Sequence, residues 1–351
     1  MSIRSDFEER EKDFMSPYGC LSSDIRGRER EEQPSNIRTE FQIDRERIVY
    51  SNAFRRLKHK TQVFLSPLGD QYRTRLTHTL EVAQISRTIA RAMRLNEDLA
   101  EAIALGHDLG HTPFGHSGET VLNSISPSGF AHNEQSIRVV EKLENNGMGL
   151  NLTFEVRDGI LKHSKGYGNI IDDDPREMAV TLEGRIVRVA DIMAYLNHDL
   201  DDAIRCRVIS HSDVPDICMK ILGKTHSDRA ATMIRDLVYS SVESGGEIQL
   251  RLSDTIFEAM TELRRFLYEK VYRSPKVHSE FEKANRILNE LYNFFYTHTD
   301  MLESELVRME MGNCFTPEAG IDRVVCDFIA SITDEYALEL YSRLFFPTPI
   351  I

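Results

Sequence analysis

The chain lacks tryptophan, is poor in cysteine and contains no long apolar run. Its 351 residues include five scattered cysteines that form no CxxC pair. This odd, dispersed set indicates reduced thiols rather than a disulfide framework. No stretch approaches the roughly 18 uninterrupted apolar residues that a membrane helix requires, and the charged opening segment has no apolar signal region. We therefore expect a cytoplasmic protein that has no membrane partner.

Positive charge is also scarce. Lysine and arginine number 43 against 56 aspartates and glutamates, which gives a net charge of −13. A general nucleic-acid binder normally carries a positive balance, so the charge does not support nucleic-acid binding. The GxGxxG and GxSxG patterns are absent, and Gly223-Lys224-Thr225 is not a complete P-loop because no glycine lies five residues before it.

Helical periodicity dominates the chain, and alternating strand patterns are nearly absent, so the predicted fold class is all-α. Apolar residues recur at helical spacing over 76–94, and Asn96 is placed to cap the next helix. Asp44 is a second predicted cap, for a helix that includes residues 48–60. Aromatic residues between 257 and 296 also recur at helical spacing, which indicates core packing. Further helices are predicted over about 132–146, 153–163, 176–205, 253–272, 275–297 and 317–344.

Composition divides the chain into three regions. The first forty residues are polar and charge-rich and contain Pro17, Gly19, Gly27 and Pro34, so we expect an irregular arm with little core of its own. We take residues 1–43 as this arm, 44–205 as a helical core and 206–351 as a C-terminal helical region. The last region has enough apolar residues for a core and for an oligomer interface.

Half of the histidines lie in a quarter of the chain, between residues 78 and 163. His107 and Asp108 stand at the end of a predicted helix, where a nitrogen and a carboxylate can point at one ion, and His78 would complete one side. Imidazole with carboxylate suits Mn, Fe, Mg or Zn. A later helix carries Asp191 as a candidate fourth ligand. The clustered histidines are His78, His107, His111, His116, His132 and His163.

The segment from Thr112 to Glu119 contains small residues, which allow a backbone to approach a ligand closely. His116 and Glu119 are three residues apart, a spacing at which a carboxylate orients an imidazole. Such a histidine beside a metal-bound phosphate is a natural general acid or activator of the attacking water. Arg73 and Arg75 precede His78 closely and suit polyphosphate, which guanidinium forks bind in bidentate fashion.

A zinc-protease helix is a competing interpretation. His107 and His111 are four residues apart with Asp108 between them, similar to HExxH with aspartate in place of glutamate. That motif requires an uninterrupted helix through both histidines. Gly110 and Pro113 break the helix, which disfavours the protease.

Together these residues resemble the H…HD…D signature of HD-domain phosphohydrolases. HDLGHTPFGHSGE (107–119) is similar to the pattern of deoxynucleoside triphosphate triphosphohydrolases, the dGTPase and dGTPase-like group. Agreement extends to AFRRLKHKTQVF (53–64), RTRLTHTLEVAQISR (73–87) and ADIMAYLNHDLDDA (190–203). The resemblance covers about 40–345 and implies an HD-domain helical core with additional C-terminal helices.

The resemblance also implies a role for each matching position. The implied ligands of a divalent ion, Mn²⁺ or Mg²⁺ with Fe, Co, Ni or Zn as alternatives, are His78, His107, Asp108 and Asp191. The implied catalytic group is His116, which Glu119 orients. His111 and His132 are implied as phosphate-side or proton-handling partners. The implied substrate contacts are Arg75, with Arg73 beside it, and Tyr195 at the phosphates, and Gln62 and Asp199 at the sugar 3′-hydroxyl.

The implied reaction is metal-dependent hydrolysis of deoxynucleoside triphosphates, dGTP or a broad dNTP range, to deoxynucleoside and tripolyphosphate by water attack on the α-phosphorus. The resemblance further implies a homo-oligomer and a nucleotide activator at an interface. Two alternatives stay open. One is a 5′-nucleotidase or phosphodiesterase, in which His111, His132 and His163 support a second metal. The other is a non-catalytic nucleotide-sensing HD protein.

Overall fold

The computed structural model describes residues 2–64, 73–164, 168–171, 174–312 and 320–347. Within these ranges it contains sixteen α-helices and one short hairpin, which confirms the all-α prediction. The hairpin pairs β1 (Val242–Ser244) antiparallel with β2 (Glu247–Gln249). None of the described helices combines the length and the apolar character needed to cross a membrane.

The helices follow one another with short connections. In chain order they are α1 (Ile3–Phe14), α2 (Glu40–Tyr50), α3 (Asn52–Arg56), α4 (Arg75–Ala92), α5 (Glu97–Gly106), α6 (Gly115–Ile125), α7 (His132–Arg138), α8 (Phe154–Lys162), α9 (Leu182–Arg205), α10 (Asp216–Ile221), α11 (His226–Ser240), α12 (Asp254–Leu267), α13 (Pro275–Thr297), α14 (Thr299–Arg308), α15 (Ile321–Ser331) and α16 (Asp334–Phe345). Short 3₁₀ turns occupy Leu57–His59 and His211–Asp213, and π turns occupy Val139–Leu143 and Tyr268–Tyr272.

Backbone contacts divide the chain into two compact units, each assembled from three separate segments. The first unit contains the chain up to Val49, His78–His107 and Asn151–Ser274. The second contains Tyr50–Thr77, Asp108–Leu150 and the chain from Pro275 onward. The chain therefore passes from the first unit to the second between His107 and Asp108. The boundaries predicted after residues 43 and 205 stay predictions.

In the first unit, α5, α8 and α9 pack on one another, and α11 and α12 pack on α9. Their fully buried side chains include Leu99, Ile103, Val156, Ile160 and Ile186. Gly159 allows α8 to approach α5, since a Cβ at this position would lie 2.5 Å from Cδ1 of Ile103. Asn96 caps α5 by accepting a hydrogen bond from the Leu99 backbone N–H, as the sequence predicts. This packing holds α5, whose end is followed by His107, against α9, which carries Asp191.

In the second unit, α13 packs against α6, α14, α15 and α16. Its apolar face is fully buried at Leu288, Leu291 and Phe295, and the Phe295 ring meets the Phe328 ring of α15 edge-on at 4.9 Å. The predictions of helices over 76–94 and 275–297 are confirmed by α4 and α13. The helix predicted over 317–344 is interrupted at Ile332 and Thr333, where Thr333 caps α16; residues 317–319 lie outside the described ranges.

The predicted irregular arm is wrong for its first part, since α1 is a helix of 12 residues. A capping box between Ser2 and Ser5 starts it. Its one buried side chain is the polar Glu11, which accepts hydrogen bonds from the backbone and hydroxyl of Ser22. Because polar contacts hold α1, apolar periodicity gives no sign of it.

Asp44 is not a helix cap. Helix α2 begins four residues earlier, at Glu40, and Asp44 is fully buried within it. Its carboxylate accepts hydrogen bonds from the backbone N–H and the hydroxyl of Thr153 and pairs with Arg28. Aspartate is a preferred N-cap residue, and the donors that Asp44 meets in the fold lie far from it in the sequence. The sequence alone therefore predicts a cap.

Candidate active site

Three candidate metal ligands converge in the first unit. His78 comes from α4, His107 follows the end of α5, and Asp191 comes from α9. Oδ1 of Asp191 lies 3.1 Å from Nε2 of His78 and 4.0 Å from Nε2 of His107, and the two Nε2 atoms are 3.3 Å apart. Ligand atoms that each lie about 2.1 Å from one ion are separated by about 3 Å. These spacings therefore fit a shared divalent ion.

The other ring nitrogen of each histidine is held by a buried partner. Nδ1 of His107 lies 2.6 Å from the carbonyl oxygen of Ala104, so it carries the proton and leaves Nε2 as the ligand atom. Nδ1 of His78 lies 2.9 Å from Nε2 of His198, which is fully buried. Such outer contacts are typical of metal-binding histidines, because they fix the tautomer and the ring orientation. No sequence pattern singled out His198 for this contact.

The predicted substrate side chains of the first unit follow Asp191 along α9 at four-residue steps. Tyr195 is half-buried, and Asp199 is buried and accepts a hydrogen bond of 2.6 Å from the Tyr272 hydroxyl. Tyr272 ends the π turn that follows α12, and π turns are frequent at functional sites. Assigning all aromatics of 257–296 to the core therefore missed a contact of a candidate site residue.

In the second unit, Asp108 is paired with a fully buried arginine. Nη1 of Arg75 lies 2.6 Å from Oδ2 of Asp108, and Arg75 is only 1% exposed. Within the described chain, Nε and Nη2 of Arg75 have no hydrogen-bond partner, and neither does the buried amide oxygen Oε1 of Gln62. A buried donor without an acceptor is costly, so these atoms suit a bound ligand. Arg73, two residues before α4, is half-buried.

Four further predicted residues of the second unit form a cluster around α6. Oε2 of Glu119 lies 3.1 Å from Nδ1 of His116, and Oε1 accepts from the backbone N–H of His132 at 2.8 Å and meets its Nδ1 at 2.7 Å. The His111 ring stacks on His132 with centroids 4.1 Å apart. His116 is exposed, whereas His111 and His132 are buried. Each residue offers a ligand atom within 4.8 Å of the others.

The charges in this cluster are set by burial and by Glu119. Burial alone would raise the pKa of Glu119, but the His132 imidazole and the hydrogen bond from His116 hold it well below its usual range. Burial would lower the pKa of His132, and the Glu119 carboxylate overcomes this and raises it. Burial and the nearby Arg75 guanidinium lower the pKa of His111 well below its usual value. The cluster therefore contains a buried Glu119–His132 ion pair beside a neutral His111.

Two known protein families match this chain. The HD domain family matches residues 75–196, and the phosphohydrolase-associated domain family matches 250–343. The first match includes His78, His107, Asp108 and Asp191. A deoxyguanosinetriphosphate triphosphohydrolase-like protein of Desulfatibacillum aliphaticivorans is 59% identical over 351 residues, with 100% of both chains covered.

Two further relatives carry the same name. The one from Caldanaerobacter subterraneus is 54% identical over 349 residues, which cover 99% of this chain and 97% of the relative. The one from Clostridium tetani is 44% identical over 353 residues, which cover 100% of this chain and 98% of the relative. Identity of this extent over whole chains, together with the HD domain, establishes the relationship. The chain belongs to the deoxyguanosinetriphosphate triphosphohydrolase-like family of HD-domain phosphohydrolases.

Proposed function

We propose that the chain hydrolyses deoxynucleoside triphosphates, dGTP or a broad dNTP range, to deoxynucleoside and inorganic tripolyphosphate. The observation that carries this proposal is the state of the buried Arg75 guanidinium. One of its nitrogens donates to Asp108, and the other two have no hydrogen-bond partner in the described chain. Polyphosphate oxygens are the natural acceptors for such a fork. The names of the three relatives support the same substrate class.

The residues that would hold a divalent ion are His78, His107, Asp108 and Asp191. The convergence of His78, His107 and Asp191 supports this set, and Asp108 directly follows His107 in the chain. We propose that this ion is Mn²⁺, which suits mixed imidazole and carboxylate ligands, or Mg²⁺. When bound, the ion offsets charge on the phosphoryl oxygens and lowers the pKa of a water molecule.

His116 is the proposed general acid. Its Nδ1 is held by Glu119, so Nε2 is left to donate a proton to the 5′-oxygen. In the proposed step, a water oxygen forms a bond to the α-phosphorus while the bond from that phosphorus to the 5′-oxygen breaks. The water proton passes to a neighbouring base, for which the neutral His111 is our candidate. Deoxynucleoside and tripolyphosphate then leave.

A second ion bound by the α6 cluster is the competing arrangement. His111, His116, Glu119 and His132 have the residue types for it. Glu119, however, already accepts three hydrogen bonds, from both ring Nδ1 atoms and from one backbone N–H. With three of its roughly four acceptor sites used in this way, the carboxylate favours proton handling over ligation of an ion, and this supports the triphosphohydrolase over a two-metal phosphodiesterase.

The sugar contacts are Gln62 and Asp199. The Gln62 amide oxygen is a buried acceptor that has no partner in the described part of the chain, which suits a hydroxyl donor such as the 3′-OH. Asp199 is the second proposed acceptor: its Oδ2 is held by Tyr272, and its Oδ1 lies 2.8 Å from Nδ1 of His198. Tyr195, one turn earlier on α9, is the proposed phosphate-side contact.

The experiment that tests this function is a product analysis by anion exchange. Purified protein is incubated with Mn²⁺ or Mg²⁺ and a mixture of the four dNTPs and four NTPs. The mixture is used because we also propose that the chain forms a homo-oligomer and that a nucleotide activates it. Tripolyphosphate with deoxynucleosides, and spared NTPs, is the expected result. Monophosphates or orthophosphate would instead favour a 5′-nucleotidase or phosphodiesterase. Bound metal without any product would favour the nucleotide-sensing alternative.

A further inference from the structure

We propose that the turn between α15 and α16 positions the catalytic helix α6, and that Asp334 is the positioning residue through which it acts. The turn, residues 330–334, lies in the region that matches the phosphohydrolase-associated domain. This inference rests on the proposed function, since His116 on α6 is the group that is positioned. Every residue involved belongs to the second unit.

Asp334 joins two segments that are far from it in sequence. Oδ1 accepts the backbone N–H of Phe114 at 2.9 Å. Oδ2 accepts the backbone N–H of Thr61 at 3.0 Å and its hydroxyl at 2.6 Å. The carboxylate thus holds the residue before Gln62 and, with its other oxygen, the residue two places before His116.

The backbone at Phe114 needs such support. Phe114 adopts φ 63° and ψ 22°, the left-handed region, which is unusual for a bulky residue. It occupies the N-cap position of α6, where a phenylalanine side chain has no acceptor to offer for a capping hydrogen bond. Conformations of this kind persist when surrounding contacts fix them. The hydrogen bond from Phe114 N–H to Asp334 is the contact that reaches this residue from the C-terminal region.

Lys60 makes a second connection within the same three segments. Its fully buried amine donates to the carbonyl oxygen of Ala330 at 2.7 Å and to the carbonyl oxygen of His111. Burial and the nearby Arg56 charge lower the pKa of Lys60 well below its usual value. The two carbonyls are acceptors for N–H groups of this amine.

The consequence is a fixed approach of Gln62 to the start of α6. A Cβ on Gly115 would lie 2.5 Å from the carbonyl oxygen of Gln62, so the two backbones are in close contact. Asp334 accepts hydrogen bonds from Thr61, which precedes Gln62, and from Phe114, which precedes Gly115. It therefore sets where the Gln62 amide and the His116 imidazole stand, although none of its hydrogen bonds goes to either side chain.

The first test compares Asp334→Asn with Glu335→Gln, an exposed acid on the same turn of α16. An amide has only one acceptor oxygen, so Asp334→Asn loses either the Phe114 or the Thr61 contact. Amide hydrogen exchange, which needs no substrate, should rise at least tenfold in at least one of the peptides covering 60–64 and 111–118, according to which contact is lost, and stay unchanged in Glu335→Gln. Unchanged exchange at both segments, or an equal rise throughout the second unit, would overturn the proposal.

The second test is a double-mutant cycle on turnover with His116→Ala. Asp334→Asn alone should lower kcat at least tenfold, with KM changed less than kcat and with bound metal per chain unchanged. If Asp334 acts through His116, adding Asp334→Asn to His116→Ala should lower kcat by less than twofold further. Multiplication of the two effects would show a general structural role and refute positioning. If the wild-type chain hydrolyses no dNTP, the proposed function fails, and the exchange experiment still decides whether the turn holds α6.

Discussion

Replacing Glu119 by glutamine tests the buried ion pair at the centre of the α6 cluster. The Glu119 side chain is 20% exposed and that of His132 is 7% exposed. Removing one partner of a buried pair typically costs about 3–5 kcal/mol. Glutamine keeps one acceptor oxygen and Glu119 is partly solvated, so we expect a loss of about 2 kcal/mol in the free energy of unfolding. Loss of imidazole orientation should also lower kcat by about 10²-fold or more.

The pH dependence of that loss follows from the two pKa shifts. The pKa of His132 is raised in the folded chain, so its contribution is complete below the ordinary value of 6.5 and falls as the pH rises through the folded value. The pKa of Glu119 is lowered, so its contribution is complete above the ordinary value of 4.5 and is lost progressively as the pH falls below this value towards the lower folded value. The stabilisation should therefore be largest between pH 4.5 and 6.5 and decrease above this window.

Urea unfolding of the wild type and Glu119→Gln at pH 5.5, 7.0 and 8.5 measures this difference. Glu134→Gln is the matched control, because Glu134 is an exposed acid on the first turn of α7. We expect the control to stay within about 0.5 kcal/mol of the wild type at each pH. A Glu119→Gln loss that is the same at all three values, or absent at pH 5.5, would refute the ion pair.

Three further predictions concern the metal, the substrate and the backbone. Asp191→Ala should lose bound Mn²⁺ and turnover together, whereas His116→Ala should keep the metal and lose about 10²-fold or more in kcat. Metal analysis combined with kinetics measures both effects, and near-full activity of His116→Ala would refute the role of His116 as general acid. Arg75→Met should raise KM for dNTPs at least tenfold, because it removes the two guanidinium nitrogens that have no partner in the described chain. It should also lower the free energy of unfolding by about 3–5 kcal/mol, because it leaves the buried Asp108 carboxylate without its partner at 2.6 Å. An unchanged KM would contradict phosphate binding. Gly115→Ala should destabilise the chain by about 2 kcal/mol in urea, since Gly115 has φ 60° and its Cβ would meet the Gln62 carbonyl; wild-type stability would contradict that contact.

Sequence patterns predict the fold best where apolar spacing and caps agree. Helices α4, α5 and α13 are found in this way because each buries an apolar face, and α5 also has Asn96 as its N-cap. The same reasoning misses α1, whose buried contacts are polar. It also joins α15 to α16, because their apolar faces continue across the Thr333 cap.

The candidate site is predicted to a similar extent. His78, His107 and Asp191 stand in a recognisable order, and the structure brings their ligand atoms together. The residues that support the site are not visible in the sequence, because each acts through partners far along the chain. Lys60 contacts Ala330, 270 residues away, and Asp334 contacts Thr61, 273 residues away. No local pattern encodes such contacts.

Hydrolysis of dGTP in H₂¹⁸O, with mass analysis of both products, tests the central claim most directly. Attack of water on the α-phosphorus predicts one ¹⁸O atom in tripolyphosphate and none in deoxyguanosine, and about 10²-fold less labelled product from a His116→Ala control in the same time. Label in deoxyguanosine, or label in orthophosphate or pyrophosphate with release of a deoxynucleotide, would contradict the proposed reaction.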